Sequence, residues 1–307
     1  MSLAVSERQA REIGVFCEIA RVNGAAISLG EVMRLAGLEA SEREVEAAFL
    51  SDSRLRTRFR LDSGYVVERS SEVPARSAAL EESRRRERAV ENLWRASRFG
   101  ASLLRGTSIV SVSGANAYLS AGEHEDIDFF CVTRPDGMWA FMLKALLLAR
   151  IHMLAHREVP EICFSCIMDE AWATGAFRAK QPPIFARDAL TAKVIGGKVA
   201  LHALLSEAKW MEGYFPVLYG MRLRETETGG EEAKTHRRRG SSVLNSFLYV
   251  TLGSFLRMKS WARNRSLMKA SSPSSIFATR IGKGHFIQES TRYRRLRNMY
   301  GDLESKA

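Results

Sequence analysis

Cysteine and proline are both scarce in this sequence, at four and seven among 307 residues. Cys17, Cys131, Cys163 and Cys166 all sit inside apolar segments. That usage excludes a small disulfide scaffold and gives the expectation of a cytoplasmic protein. A secretory leader is not expected either, because the opening MSLAVSERQARE turns charged before an apolar stretch can form. Cys163 and Cys166 have C-x-x-C spacing but fall in an expected strand, where positions three apart face opposite sides. Two small buried hydrophobes are expected there rather than a redox pair or zinc ligands. No apolar run reaches transmembrane length. The longest, Met138–Ala155, is interrupted by Lys144, Arg150 and His152 and reads as a buried helix, so no membrane partner is expected. Acidic residues are also in short supply, 35 against 46 lysines and arginines, for a net charge of +11. A surplus of that size attracts polyanions such as nucleic acid, nucleotide phosphates or an acidic protein surface.

What is present is ordinary globular material, with 46% hydrophobic and 26% charged residues over a length that suits about two domains. Residues 7–22 carry Ile13, Phe16, Cys17, Ile19 and Ala20 at helical spacing. Two capping boxes, Ser28 to Glu31 and Ser41 to Glu44, open two more helices, ending near Gly37 and Asp52. A hairpin follows, with Arg54–Leu61 and Tyr65–Glu68 joined by the turn Asp62-Ser63-Gly64. Three helices and a two-stranded wing predict a winged helix over residues 1–72. In that reading Arg54, Arg56, Arg58 and Arg60 alternate on one strand and line one face, a candidate contact for nucleic acid. The third helix is acidic, with Glu42, Glu44 and Glu46. The domain therefore reads as a scaffold or a non-specific backbone clamp ahead of a sequence-specific reader.

Residues 73–105 predict a charge-dense connecting helix with Val90, Leu93, Trp94 and Phe99 as its apolar stripe and Arg84-Arg85-Arg86 on a solvated face. Residues 184–307 are expected to be mainly helical: Asp188–Gly196 and Lys198–Trp210 split by a Gly-Gly pair, a polar loop over 222–242, and an amphipathic helix Val243–Trp261. The apolar stripe of that helix (Leu244, Phe247, Leu248, Leu252, Phe255, Met258) is expected to pack on the core rather than on a membrane surface. A Ser-rich break at Ser271–Ser275 and a final basic helix follow.

Chemistry concentrates in residues 106–183. A β-branched run, Ser108–Val112, meets Gly114 and Ala115; ten residues later come Asp126-Ile127-Asp128 and the apolar run Phe129–Val132. Carboxylates two apart on a strand point to one face. There they can share a divalent cation, which is what phosphate chemistry needs. The turn after the first strand brings backbone N–H groups of Ser113, Gly114 and Ala115 near a phosphate. His124, beside the aspartates, reads as an exposed loop residue ahead of a general base.

The pattern of strand, glycine turn, spacer and D-h-D-h resembles the nucleotidyltransferase signature of the DNA polymerase β superfamily. The runs DIDFFCVTRPDGMWAFMLKALLLAR and EICFSCIMDE further resemble prokaryotic nucleotidyltransferase-domain proteins with an N-terminal winged helix. The resemblance implies a small mixed sheet with helices on one side. It also implies Asp126 and Asp128 as ligands of Mg²⁺ or Mn²⁺, a nucleoside triphosphate as substrate and transfer of its NMP to a hydroxyl. It further expects a third carboxylate on the next strand, where this chain has Ser165, and a serine where it has Ala115. Arginines expected after the proline turn are replaced by Gly137 and Met142. Two functional readings follow: a metal-dependent nucleotidyltransferase, or a degenerate relative that binds nucleic acid or a protein partner. The expected fold is α+β and multidomain: winged helix, nucleotidyltransferase sheet, helical C-terminal region.

Overall fold

The computed structural model describes residues 7–22, 26–36, 41–62, 64–69, 75–156, 159–227, 240–269 and 277–304. It is an α+β protein with one three-stranded and one six-stranded sheet. The N-terminal module holds α1 (Glu7–Val22), β1 (Ile27–Ser28), α2 (Leu29–Ala36), α3 (Glu42–Ser51), α4 (Ser53–Arg58), β2 (Phe59–Asp62) and β3 (Tyr65–Glu68). Its helices start where the capping residues lie. The Glu31 amide donates to Ser28 Oγ at 3.3 Å. Ser41 and Glu44 cap reciprocally, amide to side chain, at 2.7 and 3.4 Å. Ser63, inside the expected turn, and the ends of the segments near Gly37 lie outside the described residues.

The arginine ladder expected on one strand does not form. Asp52 caps a helix instead, accepting from the Leu55 amide at 3.1 Å. Arg54, Arg56 and Arg58 therefore lie on α4 and only Arg60 on β2. A capped turn satisfies backbone donors that an isolated strand would leave to water, which outweighs the alternation. Arg58 is further neutralised by Glu18, 2.7 Å away.

A single helix, α5 (Ala75–Ala101), crosses to the larger body. Its buried side is Ala89, Asn92, Ala96 and Phe99, and the expected stripe residues Val90 and Trp94 face outward. Next come β4 (Thr107–Ser113), α6 (Gly114–Ala117), β5 (Ile127–Thr133), α7 (Met138–Ala155), β6 (Ile162–Asp169), α8 (Glu170–Arg178), α9 (Pro183–Thr191) and β7 (Lys193–Gly196). The chain ends in α10 (Lys198–Glu207), α11 (Pro216–Glu227), α12 (Ser242–Lys269), β8 (Phe277–Ile281), β9 (His285–Ser290) and α13 (Thr291–Glu304). The large sheet runs β7-β4-β5-β6-β9-β8. Only β5 and β6 are parallel, joined by the crossover helix α7.

Two expectations need correction. The C-terminal region is not purely helical, since it supplies three of the six strands, β7, β8 and β9. Helices also cover both faces of the sheet. Ile109, Phe130, Val132 and Met168 pack toward α8–α11, α13 and the N-terminal module. Val110, Val112, Phe129 and Ile167 pack toward α5, α7 and α12. That alternation is the period-two pattern of a strand buried on both sides. The N-terminal module shares the first core, with the Phe16 ring 6.2 Å from Phe215 and 6.3 Å from Tyr300.

The outer helices are less buried than expected. By length and composition α7 is apolar enough to cross a membrane, and only 33% of it is buried. On α12, Leu248 and Leu252 turn inward while Leu244, Phe247, Phe255 and Met258 face out. Of the expected polar loop, residues up to Glu227 continue α11, whereas 228–239 and Ser271–Ser275 lie outside the described residues.

Candidate active site

The pairing of β4 with β5 sets Ser113 opposite Asp128. The chain then turns at Gly114, whose φ of +69° is left-handed. A Cβ there would lie 3.0 Å from Asp128 Oδ2. Glycine is required twice over, for the backbone angle and for the close approach of the carboxylate. Ala115 follows in the short helix α6 and lines the same cleft as Gly114 and Asp128. Asn116, buried one residue later, donates to the Asp126 carbonyl at 2.8 Å and accepts from Asn92 of α5 at 2.9 Å. This clip holds the Asp126 loop against α6 and α5. An asparagine in an apolar-looking turn gave no sequence signal for it.

Asp126 is exposed just before β5 and is not among the residues that line the cleft, whereas Asp128 lines it and is more buried. Burial, then the charge of Asp126, pushes the Asp128 carboxyl up to about 7. Asp126 is also raised, by partial burial and by Glu161 and Glu125, with Arg263 pulling the other way. Like charges close by raise a carboxyl in this way, Asp126 acting on Asp128 and Glu161 and Glu125 acting on Asp126. Cys163 and Ser165 of β6 hydrogen-bond the Asp128 side chain.

A bulge is responsible for that second wall. Asp128 pairs with Cys163 and Phe130 with Cys166, so one residue on β5 faces two on β6. The bulge also corrects the expectation that Cys163 and Cys166 face opposite sides. Cys163 meets Asp128, and Cys166 packs into the core on that same face. Both thiols are free, and burial raises both, Cys166 to about 12.

Ser165 does sit beside Asp128, and no carboxylate stands in its place. Among the described residues no group of three or more His, Cys, Asp or Glu side chains is arranged to hold a metal ion. Two carboxylates are nonetheless the donor set on which Mg²⁺ relies when substrate phosphates and water complete its shell. Asp126 and Asp128 fit that chemistry.

Around Asp128 and the Gly114 turn a cleft of about 1010 Å³, open mouth included, runs between the sheet and the N-terminal module. One wall is apolar, with Phe16, Ile19 and Ile27. The other carries Arg85 of α5, Arg187 of α9 and Arg292 of α13. Arg187 lies over the Tyr118 ring at 4.2 Å and donates to the Tyr300 hydroxyl. Tyr118 donates to Asp188, whose enclosed carboxyl is raised to about 7. Arg292 pairs with Glu125 at 2.8 Å. These three cations come from segments expected to be a solvated helix face, a helix and a basic tail. Their charge was legible, their convergence was not. Met142, one of the positions expected to have lost an arginine, is buried in the opposite core and does not face the cleft.

Arg56 and Arg58 are exposed on α4 and do not line this cleft; the side chain of Arg54 lies outside the described residues. Arg58 instead borders a separate cavity between α1, α4 and α13 that holds Glu18, Asp52 and Arg295. His124 is exposed in the turn before Asp126. No family model, no curated protein and no solved structure matches this chain.

Proposed function

We propose that the chain is a metal-dependent nucleotidyltransferase that moves an NMP from a nucleoside triphosphate to a hydroxyl acceptor. In this reading the large sheet with its glycine turn is a polymerase-β-type nucleotidyltransferase domain and the N-terminal module is a winged helix. The observation that carries it is the contact of the Gly114 turn with Asp128, which lines the cleft, with Asp126 exposed two residues before it. Asp126 and Asp128 would hold Mg²⁺ or Mn²⁺, which supplies charge neutralisation at the phosphates and acidifies the acceptor hydroxyl. The Gly114–Ala115 backbone and Arg85, Arg187 and Arg292 orient the triphosphate. The acceptor oxygen attacks the α-phosphorus, the bond to the pyrophosphate oxygen breaks, and the acceptor proton leaves to water at the open mouth. Preorganised charge of this kind is usually the largest catalytic contribution.

The N-terminal module acts here as a wall of the cleft and a scaffold, since α1 supplies Phe16 and Ile19 to it. Nucleic acid remains an acceptor or partner this module could touch through Arg56 and Arg60. A cytoplasmic setting fits the four free thiols. One observation favours a second reading, a degenerate relative that binds nucleotide, nucleic acid or a protein without turnover: Ser165 occupies the wall facing Asp128. Transfer of label from an α-labelled NTP, with Asp128→Asn as control, separates the two. Transfer that disappears in the variant supports the enzyme. Nucleotide binding with background transfer in both proteins supports the binder. Equal Mg²⁺–NTP affinity in wild type and in Asp126→Asn/Asp128→Asn would remove the site assignment itself.

A further inference from the structure

The helical layer on the other face of the sheet has two apolar sides. On α7 the buried side is Trp139, Met142, Ala145 and Ala149, and the opposite side is Leu143, Leu147, Ile151 and Leu154, exposed at the latter three by 57–66%. Along α12, Val243, Phe247, Val250, Met258 and Trp261 recur at helical spacing and stand 61–82% exposed. Leu248 and Leu252 on its far side meet the core. Trp94 of α5, whose Ala96 and Phe99 join the same core cluster, is 59% exposed. The three helices share one core cluster on that face of the sheet, and Trp139 of α7 stacks against Tyr249 of α12 at 5.5 Å. α7 and α12 pack on one another, so their outward sides form one surface on that face of the sheet. Soluble monomers rarely expose contiguous apolar area beyond a few hundred Å², and more than ten large apolar side chains lie here.

Charge says what covers it. Neither α7 nor α12 contains an aspartate or glutamate, while Lys144, Arg150, Arg257, Lys259 and Arg265 stand among the apolar residues. Two exposed indoles each carry a guanidinium over the ring, Arg98 on Trp94 at 5.0 Å and Arg265 on Trp261 at 5.2 Å. A second copy docking across a two-fold axis would set these cationic helices against themselves. A nucleic acid would find phosphate partners but nothing for Leu147, Ile151, Leu154 and Val250. Exposed leucine, isoleucine, phenylalanine and tryptophan with only basic charge, as on α7 and α12, suit the boundary of an anionic bilayer. We propose that the α7–α12 face docks this protein peripherally on an anionic phospholipid surface. Asp128 alternates along β5 with Phe129 and Cys131 and shares the side of Phe130 and Val132, which pack on the opposite face of the sheet, while Arg263 near the end of α12 acts on Asp126. The inference is independent of the nucleotidyl-transfer reading.

The test is co-sedimentation of the full chain with phosphatidylcholine vesicles, alone or with roughly a third phosphatidylglycerol, a composition that sets a negative surface potential. Pelleting is expected with the anionic vesicles and weakly or not at all with neutral ones. Phe247→Ser/Trp261→Ser and, separately, Leu147→Gln/Ile151→Gln should reduce the bound fraction at least tenfold. Arg150→Gln/Lys259→Gln/Arg265→Gln should lose the preference for the anionic vesicles. All these positions are exposed, and circular dichroism and nucleotide affinity should be unchanged in the variants. With brominated lipid, the fluorescence of Trp94 and Trp261 should be quenched and that of buried Trp139 spared. Absence of pelleting, pelleting indifferent to every substitution, or a vesicle-independent dimer abolished by the apolar substitutions would each overturn the proposal. So would nucleic-acid binding that the apolar substitutions abolish without any pelleting.

Discussion

Gly114 and Asp128 touch across the β4–β5 ladder so closely that a methyl on the first would sit 3.0 Å from Oδ2 of the second, at a backbone φ of +69°. Gly114→Ala therefore meets two penalties. The left-handed angle costs an L-residue about 1–2 kcal/mol, and Asp128 must shift to make room. Stability should fall by about that amount in thermal unfolding, and Mg²⁺–NTP affinity by more than tenfold in calorimetry. A variant with unaltered nucleotide affinity would show that the turn does not position the carboxylate.

The Asn92–Asn116–Asp126 clip makes a second prediction. Both asparagines are buried, and removing one leaves the other unsatisfied, which costs about 1–3 kcal/mol. Asn116→Ala should lose that stability and also loosen the Asp126 loop, raising the nucleotide Kd. Asn92→Ala should cost similar stability with a smaller effect on Kd, because the bond to the Asp126 carbonyl survives. A double-mutant cycle should give coupling of about 0.5–1.5 kcal/mol in unfolding. Strictly additive effects would mean the two side chains act separately.

Much of this was readable from the chain. The caps at Ser28 and Ser41 and the strand–glycine–strand core stand where sequence reasoning puts them, because each is fixed by local chemistry; of the two aspartates Asp128 lies on β5 and Asp126 just before it. What failed depends on competition between local signals or on distant partners. Arg54 to Arg60 alternate like a strand, yet Asp52 caps a helix through them. Lys193–Gly196 reads as the end of a helix, yet Lys193, Val194 and Gly196 pair with β4 as its edge neighbour. Gly197 makes that possible, since its left-handed backbone (φ +91°) passes directly over the Ser108 carbonyl, where any side chain would collide. The convergence of Arg85, Arg187 and Arg292 is a property of three separate helices, and no spacing in the sequence encodes it.

Those arginines give a third prediction. A charge-assisted hydrogen bond to phosphate is worth about 1.5–3 kcal/mol. Arg85→Gln and Arg187→Gln should each weaken triphosphate binding by ten- to a hundredfold while leaving nucleoside binding nearly unchanged. Arg292→Gln should do less, because Glu125 already holds that guanidinium. Equal losses for nucleoside and triphosphate would move these residues from phosphate contact to general architecture.

Asp188 sets a pH dependence. Its carboxyl is raised in the fold from 3.8 to about 7, with burial as the cause. The folded state thus holds a proton that the unfolded chain releases. The associated stability is fully present below about pH 4 and is lost as pH rises through 7. Asp188→Asn keeps the acceptor for Tyr118 and removes the titration. It should be more stable than wild type at pH 8, by on the order of 2–4 kcal/mol, and indistinguishable near pH 4. Wild type and variant running parallel in thermal midpoint from pH 4 to 8 would sink this assignment.

Ser165 decides how far the site has moved from a two-metal arrangement. Its hydroxyl hydrogen-bonds Asp128 on the wall where a third carboxylate is expected, and Ala115 lines the same cleft. Ser165→Asp adds a like charge beside a carboxyl already raised to about 7 by burial and Asp126. Without divalent cation the variant should therefore lose about 1–3 kcal/mol of stability at pH 8, the usual scale for an uncompensated buried polar group. Mg²⁺ should reverse the loss, because a cation between three carboxylates is stabilised by each of them. The thermal shift on adding Mg²⁺ should consequently be larger in the variant than in wild type. If wild type is a weakened enzyme, Ser165→Asp and Ala115→Ser together should also raise NMP transfer. A second cation steadies both attacking and leaving oxygens, and the serine adds one bond to a charged phosphate. If the chain is a binder, the Mg²⁺ shift should grow while transfer stays at background. A variant whose thermal midpoint ignores Mg²⁺ altogether would show that Asp126, Asp128 and position 165 do not share a cation site, and the metal-dependent reading would fail with it.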